Sequence, residues 1–167
     1  VGRPPPEHAA VLDEWIEGRP WIRPYAVYRV LKERASDSWW HDFGEYSSRP
    51  EQATIDTLWN ELAPRTRFFS WLQMHLDRQL TEAGAAVNEL GVLLKGDIPI
   101  LMSEDSADVW YDRDLFRLDL KAGAPPDGFN AGGQNWGFPL YNWESKEEQI
   151  LDWWRARLRQ AEKYYHA

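Results

Sequence analysis

The sequence predicts an α/β protein that is predominantly helical, and two observations carry that prediction. Over residues 65–90, Phe69, Leu72, Leu76, Leu80, Ala83, Val87 and Leu90 step by three or four positions, the spacing of one apolar face of a long helix. Directly after it, Gly91 closes the pattern and Val92-Leu93-Leu94 begins a short apolar run leading into Lys95-Gly96-Asp97. A helix, a glycine, a short buried strand and an acidic residue follow the rhythm of an α/β unit. In such units the C-terminal end of the strand is where ligands are met.

The remaining elements follow in chain order. Arg3-Pro4-Pro5-Pro6 reads as an extended connector. Residues 7–17 place Val11, Leu12, Trp15 and Ile16 at helical spacing, with Gly18 as the stop. Pro24 suits the first turn of a second helix, 24–34. Residues 36–48 set Trp39, Trp40, Phe43 and Tyr46 among Ser, Asp and Gly, an aromatic loop or short helical turn. A third helix spans 51–62 and ends at Ala63-Pro64. Residues 1–64 therefore read as a helical subdomain. Residues 65–167 read as a second part: the long helix, a strand at about 91–100, an irregular loop over 101–144, and a helix over 146–165 with Ile150, Trp154, Leu158, Ala161 and Tyr165 on one face. A lone strand cannot satisfy its backbone donors and acceptors. Either the weaker stretches at 98–101 and 116–120 pair with something, or the chain is cut from a larger sheet or barrel.

Composition narrows the function. At 167 residues, 43% hydrophobic and 28% charged, the chain has the profile of a soluble globular domain. No stretch approaches the roughly 20 apolar residues that cross a membrane. A net charge of −8 would repel nucleic acid. The absence of cysteine excludes disulfides, thiolate metal sites and a cysteine nucleophile; it fits a reducing setting, and a cytoplasmic location is expected. Val1 is not an initiator methionine and no signal-like segment follows it, so the sequence says nothing about the targeting of any longer parent. His8, His41, His75 and His166 are scattered without metal-ligand spacing, and neither metal nor cofactor is expected. The acidic pairs Asp105/Asp108 and Glu147/Glu148 read as loop caps or a solvated face before acid–base catalysts. Eleven tryptophans are unusual. Their flat faces suit sugar rings, although composition alone favours a core role.

The chemistry concentrates in Gly123-Ala124-Pro125-Pro126-Asp127-Gly128-Phe129 and in the run from Gly132 to Glu144. Glycines let backbone approach a ligand, and prolines stiffen the loop. Gln134 and Asn135 each offer donors and acceptors, as sugar hydroxyls do. Trp136 and Tyr141 offer stacking faces. The residues leave two readings open: a sugar-facing loop, or a surface Ω-loop packed by its own aromatics.

Pro-Pro-Asp at 125–127, Gly-Gln-Asn-Trp-Gly-Phe-Pro at 133–139 and Tyr-Asn-Trp-Glu at 141–144 together resemble a signature of the amylomaltase, or disproportionating, 4-alpha-glucanotransferases. Asn135 and Phe138 are similar to the branch that includes plant cytosolic enzymes and their bacterial relatives. A second match covers Lys95 to Ile100 and Glu104 to Trp110, which resembles the family's third barrel strand and its loop. Trp153-Trp154-Arg155-Ala156-Arg157-Leu158 resembles the helix after the signature. The resemblance is dense over 66–167 and thin over 1–65. It implies part of a (β/α)8 TIM barrel with an inserted helical subdomain. It also implies a parent enzyme that moves α-1,4-glucan units between malto-oligosaccharides by a retaining mechanism with two carboxyl groups.

The same resemblance implies that Gln134 and Trp136 line the glucan groove, with Tyr141 among the substrate-binding residues, and that Asp97 sits at a strand end, positioning substrate or its neighbours. Asp105, Ser106 and Asp127 would hold loops or touch sugar hydroxyls. The nucleophile and the acid/base would lie beyond Ala167, so no catalytic residue is assigned within the chain. An exposed partial barrel would tend to self-associate through its apolar side. Two other classes remain as alternatives: a stand-alone carbohydrate-binding module, and a helical interaction domain whose aromatics are all core.

Overall fold

The computed structural model describes residues 6–166, so the connector at residues 3–5 lies outside the described residues. The order is α1 (Pro6–Glu17), α2 (Ile22–Arg34), two 3-10 turns at Trp40–Asp42 and Gly44–Ser47, α3 (Gln52–Glu61), α4 (Arg65–Glu89), α5 (Ala107–Tyr111), a 3-10 turn at Arg113–Leu115, β1 (Phe116–Ala124), β2 (Gln134–Tyr141) and α6 (Trp143–Ala161). The chain divides into two compact units, Val1–Ala86 and Val87–Ala167.

In the first unit α2 is buried almost all round, through Ile22, Ala26, Val27, Tyr28, Val30 and Leu31. With Ile55, Leu58 and Trp59 of α3, and with Trp40 and Phe43 from the aromatic turns, it forms the core. The aromatic stretch 36–48 is thus short helical turn, and two of its rings are core. The division falls inside α4, C-terminal to the 64/65 boundary expected from the sequence. The reason is that the N-terminal half of α4 belongs to the first core. Phe69, Thr66 and Ser70 are buried there, and Thr66 Oγ1 donates to the Trp59 carbonyl at 3.0 Å. Arg65 forks onto the Glu33 carboxylate at 3.2 and 2.5 Å. Asp77 takes both the Trp15 indole N–H at 2.9 Å and Arg19 at 2.8 Å.

α4 matches the expected helix within one residue at its C-terminal end. The Gly91 N–H donates to the Asn88 carbonyl at 2.9 Å and the Val92 N–H to the Val87 carbonyl at 3.2 Å. This pair of bonds is a Schellman close. Of the expected apolar face only Phe69 is buried, whereas Leu72, Leu76, Leu80 and Leu90 are exposed. No element among the described residues covers them.

The second unit departs more from the sequence reading. The strand expected at 91–100 does not form: the segment joins no sheet among the described residues, and Leu93 is 68% exposed. An apolar run becomes a strand only when another strand pairs with it, and among the described residues none does. The sheet is instead an antiparallel hairpin of β1 and β2, inside the stretch expected to be loop. Phe116–Leu120, read as a weak strand, is most of β1. The pairing runs from Phe116 opposite Tyr141 to Ala124 opposite Gln134, with register shifts between Arg117 and Lys121 and between Lys121 and Gly123. Pro139 lies opposite Lys121, where the two shifts meet. A proline, which cannot donate to the ladder, is tolerated at such irregularities. The core of this unit joins Val109, Leu115, Phe116 and Ile150, with Met102, Leu118, Tyr141, Trp153 and Trp154 packed against it. α6 begins three residues before the expected position and carries one non-helical residue, Lys146.

Candidate functional site

The β1–β2 hairpin holds the densest group of sequence-selected residues. Its neck is tight. A methyl group at Gly123 would lie 2.0 Å from the Gln134 carbonyl oxygen, so only glycine fits there. Beyond the neck, Asp127 Oδ1 accepts the N–H groups of Phe129 at 2.8 Å and Asn130 at 2.7 Å, an Asx turn. Asn130 Oδ1 accepts the Gly132 N–H at 3.1 Å, and the Asn130 carbonyl accepts the Gly133 N–H at 3.1 Å. Asp127 therefore braces the loop from within.

The outer part of the hairpin is not packed by the aromatics there. Phe129 is fully exposed, and Trp136 is 48% exposed. The Trp136 indole N–H donates to Gln134 Oε1 at 2.9 Å. That bond fixes both side chains and turns the donor end of the amide, Nε2, away from the indole. Asn135 Oδ1 accepts the Gly137 N–H at 2.9 Å. The result is an indole and an amide held side by side on an exposed strand, an arrangement suited to a ring-bearing ligand rich in hydroxyls.

The other selected residues lie elsewhere in the unit. Ser106 caps α5, its hydroxyl accepting the Val109 N–H at 3.2 Å. Asp105, beside it, is half-buried. The adjacent Glu104 carboxylate pairs with Lys121 of β1, which fastens this loop to the hairpin. Asp97 is exposed on the irregular segment. The structure thus brings Gln134, Trp136 and Asp127 onto one hairpin and leaves Asp97, Asp105 and Ser106 on the preceding loop.

Tyr141 differs from the stacking platform expected of it. Its ring packs among Phe116, Trp143, Trp153 and Trp154 at centroid distances of 5.4–6.1 Å. Its hydroxyl donates to the Ile100 carbonyl at 2.8 Å. Burial raises the phenol pKa above its usual value.

Sequence reasoning passed over two residues here. Arg157 lies over the Trp153 and Trp154 rings at 4.6 and 4.4 Å and donates to the Pro99 carbonyl at 2.8 Å. Its position in the Trp-Trp-Arg-Ala-Arg motif was visible, but nothing local marks the target carbonyl. Asp108 is, in the sequence, one of a pair that reads as loop caps or a solvated face. Burial raises its carboxyl above the ordinary 3.8, partly offset by the Arg157 charge and by a bond from the Trp153 indole.

The Asp108 shift has a defined sign. A folded pKa above the unfolded value means that the fold favours the protonated acid. Stability from this group is present below 3.8 and is lost as pH rises from there through the raised value. Asp108→Asn is expected to flatten that fall, so that the denaturation midpoint of the variant gains on the wild type as pH rises above the ordinary carboxylate value of 3.8. Denaturant titrations at several pH values check this; parallel curves would contradict it.

The hairpin presents an indole face beside an amide, the pair of groups through which proteins of the carbohydrate-binding class can meet a sugar ring. The 4-alpha-glucanotransferase family model, Glyco_hydro_77, matches residues 4–167. The chain is 40% identical over 156 residues to 4-alpha-glucanotransferase DPE2 of Oryza sativa subsp. japonica, covering 90% of this chain and 16% of that protein. It is 39% identical over 160 residues to 4-alpha-glucanotransferase of Chlamydia pneumoniae, covering 92% of this chain and 29% of that protein. Among solved structures, amylomaltase from Streptococcus agalactiae in complex with acarbose superposes with a TM-score of 0.84 at 27% identity, over 96% of this chain and 34% of that chain. The chain belongs to the 4-alpha-glucanotransferase family, and it spans less than a third of the length of these two curated relatives.

Proposed function

We propose that this chain is the part of a 4-alpha-glucanotransferase that supplies glucan-binding loops. The longer protein transfers α-1,4-glucan units between malto-oligosaccharides by a retaining mechanism, and its nucleophile and acid/base lie outside these 167 residues. The observation that carries the reading is the exposed Trp136 indole, bonded to Gln134 on a braced hairpin. In this reading the indole face stacks on a glucose ring and Gln134 Nε2 donates to a sugar hydroxyl. Asp97 and Asp105 meet further hydroxyls, while Asp127 and Ser106 hold the loops. The acarbose complex of the structural neighbour supports a carbohydrate site.

The fold of the longer protein is a (β/α)8 barrel in the same reading, and residues 91–100 supply one of its strands. Support comes from the segment itself, which is apolar, joins no sheet among the described residues and is exposed at Val92 and Leu93. In a barrel both its backbone and those side chains would be covered.

Titration of the 167-residue chain with maltoheptaose, followed by tryptophan fluorescence, tests the site. Trp136→Ala is expected to weaken binding at least tenfold, about 1.4 kcal/mol. The thermal midpoint should barely move, because the side chain is exposed. Equal affinity in the two proteins would remove Trp136 from the site. Absence of binding by the wild type would favour a helical interaction domain, and turnover by the 167 residues alone would refute the placement of the carboxylates.

A further inference from the structure

We infer that Arg157 is a positioning residue for Asp97, acting through the carbonyl of Pro99. The inference rests on the proposed contact between Asp97 and glucan, and it says what aims that carboxylate.

Among the described residues, 94–100 join no sheet, and their backbone polar groups meet other partners. At the start of the segment, the Leu94 carbonyl accepts the His166 N–H at 2.8 Å and the Leu94 N–H donates to His166 Nδ1 at 3.1 Å. One residue before Asp97, Gly96 lies flat against the Tyr165 ring; a methyl group there would be 2.2–2.8 Å from three ring carbons. At the end of the segment, Arg157 Nη2 holds the Pro99 carbonyl and the Tyr141 hydroxyl holds the Ile100 carbonyl, both at 2.8 Å. Asp97 stands between these two clamps, exposed.

Arg157 can act as a clamp because it is itself fixed. Its guanidinium lies over two indoles, and the charge of Asp108 faces it. The planar fork loses little freedom when it binds a carbonyl from such a seat. Pro99 has no N–H, so its carbonyl is the one backbone group by which that residue can be held. Among the described residues, anchors hold the backbone on both sides of one carboxylate.

Hydrogen exchange of the 167-residue chain, read on the peptide covering 94–101, tests the clamp in the wild type, Arg157→Met, Arg157→Lys and Tyr141→Phe. Arg157→Met is expected to speed exchange there about tenfold while far-UV circular dichroism is retained. Arg157→Lys, which keeps a donor, should recover part of the protection. Unchanged exchange in Arg157→Met overturns the inference; if that variant fails to fold, Tyr141→Phe must loosen the same peptide or the clamp is refuted. In maltoheptaose titrations, Asp97→Asn and Arg157→Met should each weaken binding, and the double variant should be no weaker than Asp97→Asn. Additive losses would show that Arg157 acts apart from Asp97. An Asp97→Asn variant that binds like the wild type refutes the glucan contact itself, while the exchange result still decides whether Arg157 holds the segment.

Discussion

Ile150→Ala is expected to destabilise the second unit by about 2–5 kcal/mol, the cost of deleting a buried aliphatic side chain and leaving a cavity. Ile150 has no solvent exposure and packs with Val109, Leu115 and Phe116. It therefore joins α5, the hairpin and α6 in one core. Against a total stability of roughly 5–15 kcal/mol for a domain, the loss is large enough to populate an unfolded second unit. Partly buried Tyr141, Trp153 and Trp154 pack on the same cluster, so the seat of Arg157 should loosen with it. Ile150→Val, which removes one methylene, should cost only about 0.5–1.5 kcal/mol. Urea titration monitored by near-UV circular dichroism checks both values. Equal midpoints for wild type and Ile150→Ala would mean that this cluster does not hold the unit together.

Gly123→Ala is expected to act on the site more than on the core. The added methyl would meet the Gln134 carbonyl oxygen at 2.0 Å and its carbonyl carbon at 3.1 Å. Both atoms are backbone, so no rotamer change relieves the clash. The ladder must open where Gly123 faces Asn135 and Ala124 faces Gln134, at a strain of about 1–3 kcal/mol. The residues displaced are those next to Trp136. Hydrogen exchange at 133–137 should rise and maltoheptaose affinity should fall at least tenfold. The urea midpoint should shift less than in Ile150→Ala, since Gln134 to Gly137 are exposed. Retained affinity together with a retained ladder would show that the neck tolerates the methyl group.

The helices were legible in the sequence because their signal is local. The three-and-four spacing of Phe69 through Leu90, closed by Gly91, located α4 almost to the residue. The hairpin was legible only in part. β1 and β2 are interrupted by Gly123, Gly137 and Pro139 and carry two register shifts, so alternation breaks where the pairing slips. Val92-Leu93-Leu94 shows the opposite case: a convincing apolar run that meets no partner strand among the described residues stays irregular there. Tyr141 shows a third kind. Its neighbourhood in the signature marked it as part of the site, but its ring faces inward onto aromatics and its hydroxyl holds a backbone carbonyl.

By itself, the sequence determined the helical periods, the glycine- and proline-braced loop with its amide and indole, and the motifs that place the chain in its family. Tertiary structure alone decided that Trp110 is buried while Trp136 faces solvent, which strands pair, and that Arg157 reaches Pro99. The physical reason is range. Helical spacing and turn chemistry depend on neighbours within about four residues, whereas burial and backbone pairing depend on partners brought together from far along the chain.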